Sequence, residues 1–90
     1  MSCVMLASPA AAELSDNQQA AIDRLQPAMA DQLGDAGAGT ALAECVAETA
    51  SNREARRIAQ AETDQDAFDV ANDIMTRPAV MACVTEKLTQ

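Results

Sequence analysis

From Leu14 onward the apolar residues recur at helical spacing. Ile22, Leu25, Met29 and Leu33 follow one another at three, four and four positions, which is one face of a helix. Ser15 is placed to cap that helix, with Asp16 in its first turn and Leu14 just outside as a hydrophobic staple. Pro27 lies within the segment and has no backbone N–H, so it should kink or split the helix. Gly34-Asp35-Ala36-Gly37-Ala38-Gly39 reads as a flexible loop, after which Thr40 caps a second helix with Leu42, Cys45, Val46 and Thr49 on its apolar face. Ser51-Asn52-Arg53-Glu54 is a capping box and starts a third helix, Asn52 to about Ala61, with Ala55, Ile58 and Ala59 inward. Thr63-Asp64 caps a fourth, striped by Phe68, Ala71, Ile74 and Met75. Arg77-Pro78 ends it, and Pro78 suits the first turn of a fifth, with Val80, Cys83, Val84 and Leu88 inward. No segment alternates as a strand would. The pattern predicts an all-α fold, a small irregular bundle of about five short helices.

The stretch before this domain differs in kind. Residues 1–12 carry no charge, and the first charged side chain is Glu13. Val4-Met5-Leu6-Ala7 reads as the end of an apolar core, Ser8-Pro9 breaks it, and Ala10-x-Ala12 supplies the small residues that a signal peptidase requires. Residues 1–12 are therefore expected to be a signal-peptide remnant, cleaved after Ala12, with the basic front lying upstream. Residues 13–90 form the single helical domain. Cys3 precedes Val4-Met5-Leu6-Ala7 rather than following it, which argues against lipid attachment there.

Composition sharpens the picture. The chain has 90 residues and a formal net charge of −8, with six cations against 14 anions. Duplex nucleic acid is excluded as a partner, because its recognition needs a basic face to displace phosphate counterions. There is no histidine, so His-dependent triads and His-containing zinc sites are excluded too. No run approaches the roughly 20 apolar residues of a membrane span. From Leu14 onward the large apolar residues number only sixteen, which makes a thin core. A domain this small usually needs a staple. Removing the leader leaves two cysteines, Cys45 and Cys83, both on apolar helix faces. In an oxidising compartment they are expected to form a disulfide. The segments around them echo each other, Ala41 to Glu48 and Ala79 to Glu86 sharing Ala-apolar-x-x-Cys-Val-x-Glu.

Two charged groups stand out as partner-binding candidates. Glu62, Asp66, Asp69 and Asp73, spaced four, three and four, should form a carboxylate stripe along the fourth helix. Asp64-Gln65-Asp66 begins like a calcium loop but lacks the later ligands and the turn glycine, so no metal or other cofactor is expected. Arg53, Arg56 and Arg57 are the one cationic cluster, expected to pair with carboxylates such as Glu44 and Glu48 on neighbouring helices. Met29, Met75 and Met81 sit at helical spacing with Leu and Ile, which reads as core, with an adaptable binding surface as the alternative. Five short helices leave little room for a deep substrate cleft, so catalysis is not expected.

Thr76-Arg77-Pro78-Ala79-Val80-Met81-Ala82-Cys83-Val84-Thr85-Glu86-Lys87 resembles the second-cysteine helix of the small periplasmic acid-resistance chaperones. The resemblance covers about a dozen residues and implies an exported, all-helical protein closed by one disulfide. It names no functional residue. The chain departs from that family in the shorter spacing between its cysteines and in having Glu44 and Val46, not tryptophan, beside Cys45.

The sequence thus points to a small exported protein, periplasmic or secreted, that acts by binding a protein partner as a monomer or homodimer. An acid- or stress-responsive periplasmic chaperone is the alternative.

Overall fold

The computed structural model describes residues 14–89. The expected signal remnant, its cleavage point and Cys3 lie outside the described residues. Five helices follow in order: α1 Asp16–Leu33, α2 Ala36–Thr49, α3 Asn52–Ala59, α4 Asp64–Met75 and α5 Pro78–Leu88. The described residues are 83% helical and contain no strand.

Local chemistry sets most of the boundaries. Ser15 caps α1 through a full capping box with Gln18, and Ser51 caps α3 through one with Glu54. Thr63 caps α4 by accepting from the Asp66 amide, and Pro78 opens α5. The third helix is shorter than expected, stopping at Ala59.

Of the two outcomes expected at Pro27, a kink or a split, the split does not occur: α1 runs through it. The proline deprives the Asp23 carbonyl of its intrahelical donor, and both residues face solvent, where water can serve that carbonyl. The glycine-rich stretch is not a loop either. Only Gly34 and Asp35 separate α1 from α2: Gly34 takes the left-handed conformation (φ 69°) that ends α1, and Asp35 caps α2 by accepting from the Gly37 amide. Gly39 is buried inside α2 against Ala30 of α1. A Cβ built on it would stand 2.5 Å from the Ala30 backbone nitrogen. The close packing of two helices here outweighs the poor helix propensity of glycine. Thr40, expected as a cap, sits within α2 and accepts a hydrogen bond from Gln26 Nε2 at 3.1 Å.

α1 is the central element, packed most extensively on α2 and then on α3, and touching α4. α5 lies chiefly on α2. The core gathers Ile22, Leu25 and Met29 of α1, Cys45 and Val46 of α2, Ile58 of α3, Ile74 of α4 and Val80 of α5. Eight of the sixteen buried apolar residues are alanines, so the helices approach closely and the apolar volume between them is small. Cys45 is fully buried and bonded to Cys83, with their Cα atoms 5.7 Å apart, as expected. Two positions assigned to apolar faces lie outside: Leu33 is 51% and Leu88 55% exposed. Each is the last residue of its helix.

Candidate functional site

The expected carboxylate stripe is shorter than its spacing suggested. Thr63 is the N-cap of α4, so Glu62 precedes the helix and lies in the bend before it. Asp66, Asp69 and Asp73 remain together, exposed on the outer side of α4. Asp69 accepts from Gln65 Nε2 at 2.9 Å, and Asp73 accepts from Arg77 at 3.3 Å. Among the described residues no three acidic or thiol side chains converge as a metal site.

The arginine cluster is corrected more fully. Arg53, Arg56 and Arg57 are exposed on α3, and none lies within ion-pair distance of a carboxylate among the described residues. Glu44 and Glu48 are taken instead by Lys87, whose Nζ stands 3.5 Å from each. Arg56 and Arg57 occupy the last turn of α3, where cations complement the helix dipole without any carboxylate partner. Arg57 shares a cleft of about 180 Å³ with Glu54, Asp69, Val70 and Asp73. The structure therefore brings one of the three arginines toward the acidic stripe and leaves Arg53 and Arg56 apart from it.

The strongest ion pair joins residues that the sequence marked only as helix punctuation. Both guanidinium nitrogens of Arg77 donate to the Glu54 carboxylate, at 3.1 and 2.6 Å, in a forked arrangement. Glu54 also accepts from the Ser51 amide at 2.9 Å. The Arg77 hydrogen bonds, helped by that amide and opposed by partial burial, hold the Glu54 carboxyl down at about 2. The same contact raises the Arg77 guanidinium. Glu54 was recognisable as the N3 residue of a capping box, and Arg77 as the residue before a proline. Nothing in their spacing of 23 positions signals that they meet.

An apolar groove lies between α1, α2 and α4. It has a volume of about 330 Å³ and is lined by Met29, Gln32, Leu33, Leu42, Gln65, Phe68, Asn72 and Met75. The sequence placed Met29, Leu33, Leu42, Phe68 and Met75 on apolar faces, but not the opening between them. Met29 forms part of the buried core, Phe68 and Met75 are half-buried walls, and Leu33 is the exposed lip. Gln65, Phe68, Asn72 and Met75 follow one face of α4 through most of its length, about 15 Å at the helical rise. Chemically the groove offers apolar surface and three side-chain amides, a composition suited to holding and orienting an apolar group. Met81, expected in the core with the other two methionines, is instead 59% exposed on α5.

Among the described residues no helix is long and apolar enough to cross a membrane. No protein-family model, no curated protein and no solved structure matches the chain.

Proposed function

We propose that this chain is a small exported protein, periplasmic or secreted, that acts by binding a protein partner rather than by catalysis. The observation that carries the reading is the groove between α1, α2 and α4, with half-buried Phe68 and Met75 in its walls and Leu33 exposed at its lip. An apolar concavity with a few convergent polar side chains is a feature of binding sites. The groove's amides can orient a bound group but do not exchange protons near neutral pH. The Cys45–Cys83 bond supports export, because such bonds persist in oxidising compartments.

Affinity capture from periplasmic extract with wild-type protein and Leu33→Gln tests the reading. Leu33 is at the exposed end of α1, so the substitution leaves the core intact. A partner retained by the wild type and lost with Leu33→Gln is the expected result. Equal retention by both, or none by either, contradicts it. Intact mass of the exported product tests the processing: the expected N-terminus is Glu13.

One observation favours the chaperone alternative. The helix that carries the resemblance to acid-resistance chaperones, α5, leaves Met81 and Leu88 exposed seven residues apart, on one helix face. Suppression of client aggregation at pH 2–3 but not at pH 7, abolished by Met81→Gln with Leu88→Gln, would select that reading over the groove.

A further inference from the structure

We infer that the Cys45–Cys83 bond is a one-sided redox latch for α5, open to attack only at the Cys83 sulfur and guarded there by the Glu48 carboxylate. Cys45 is fully buried, so no external thiol reaches its sulfur, whereas Cys83 is half-buried on α5. Glu48 Oε1 stands 3.8 Å from Cys83 Sγ. Glu48 Oε2 is 3.5 Å from Lys87 Nζ, and that ammonium is shared with Glu44 Oε1 at the same distance. One cation between two carboxylates leaves net negative charge beside the reachable sulfur. The placement follows from helical register. Glu48 lies one turn after Cys45 on α2 and Lys87 one turn after Cys83 on α5, so the contact that joins the cysteines also brings these charges together.

The attacking species in thiol–disulfide exchange is a thiolate, itself an anion. Its sulfur bonds to Cys83 Sγ as the bond to Cys45 breaks, and Cys45 Sγ leaves with the electron pair and takes a proton. A second thiol then displaces Cys83 and carries the first away as the reductant's own disulfide. The protein gains two electrons and two protons, both supplied by the thiols. Two features slow the first step. Glu48 repels the incoming thiolate, and more strongly when that thiol carries further negative charge. The departing Cys45 thiolate forms inside the apolar core, where nothing solvates it. The latch therefore discriminates between reductants by their charge, holding off anionic thiols and admitting cationic ones. Once it is cut, α5 keeps only Val80 fully buried and the Lys87 ion pairs.

The test follows reduction of the disulfide-bonded protein by 2-mercaptoethanesulfonate, 2-mercaptoethanol and cysteamine, which carry a sulfonate, no further charge and an ammonium. Each variant is compared with the wild type for the same thiol, so differences in thiol basicity cancel. Glu48→Gln is expected to speed reduction by the sulfonate thiol about three- to tenfold, by the uncharged thiol less and by the ammonium thiol least. About 0.5 M salt should flatten that ranking. Glu44→Gln is the structural control, because it removes a Lys87 partner but leaves the carboxylate beside the sulfur, and it should produce a weaker ranking. After an early acid quench, alkylation and peptide mapping should place the first mixed disulfide on Cys83 and the free thiol on Cys45. Equal acceleration of all three thiols by Glu48→Gln would overturn the guard and attribute the effect to a loosened α5. No acceleration, or an equal ranking from Glu44→Gln, would overturn the assignment to Glu48. First adducts on Cys45 would overturn the one-sided attack.

Discussion

A methyl group added at position 39 would stand 2.5 Å from the Ala30 backbone nitrogen and 2.6 Å from its Cα, so α1 and α2 could not keep their present separation. Gly39→Ala is therefore expected to destabilise by about 1–3 kcal/mol, although alanine is the better helix former. Gly37 lies two residues earlier, and its added Cβ would meet only Asp35 Oδ1 at 3.7 Å. Gly37→Ala should be neutral or stabilise by up to about 1 kcal/mol. Urea midpoints of the two variants, moving in opposite directions, check both. Glu54 gives a second prediction at this scale. Its carboxyl is lowered from 4.5 to about 2, so its ion pair contributes fully above about pH 4.5 and is lost as pH falls through about 2. Glu54→Gln keeps an acceptor for the Ser51 amide but removes the charge. The variant should be less stable than the wild type at pH 7, with the gap closing between pH 4.5 and 2. A gap that stays constant over that window would show that the Arg77 pair does not carry the effect. Neither residue's role was legible in advance. The glycines of 34–39 read as a loop because glycine propensity is local, whereas the Ala30 contact is tertiary. Glu54 read as a cap because its fork with Arg77 spans 23 residues of chain.

Among the elements, α5 depends most on a covalent link. It buries only Val80 completely, with Cys83 and Val84 half-buried, and it rests mainly on α2. The bond between Cys45 and Cys83 spans 38 residues, for which the chain-entropy relation gives about 4 kcal/mol. That is a large share of the roughly 5–15 kcal/mol typical of a domain. Cys45→Ala with Cys83→Ala should lower the melting temperature sharply, and hydrogen exchange should show α5 losing protection before α1 and α2. Uniform loss of protection across all five helices would mean that the bond holds the whole fold rather than docking one helix. Most of this level was legible in the sequence. The caps at Ser15, Ser51 and Thr63, the proline at the head of α5 and the inward placing of both cysteines are each signalled by neighbouring residues. The exposed helix ends at Leu33 and Leu88 were not, because an apolar residue in register is the same letter whether or not it is covered.

For the whole molecule, the distribution of charge matters more than the net value of −8. Lys87, Arg24 and Arg77 are spent on holding helices together, while Arg53, Arg56 and Arg57 face outward from α3. The groove between α1, α2 and α4 is lined without any charged side chain. The individual walls of that groove could be read from periodicity, but the opening between them depends on how three helices pack, which no single segment encodes. The most direct test of binding through this surface is site-specific photocrosslinking in the producing cell, with a photoreactive side chain at Leu33 or Asn72 in the groove and, separately, at Arg53 or Arg56 on α3. The expected result is one discrete adduct, of the same mass, from both groove positions and none from α3. Adducts from α3 alone, or from neither groove position, would contradict the account.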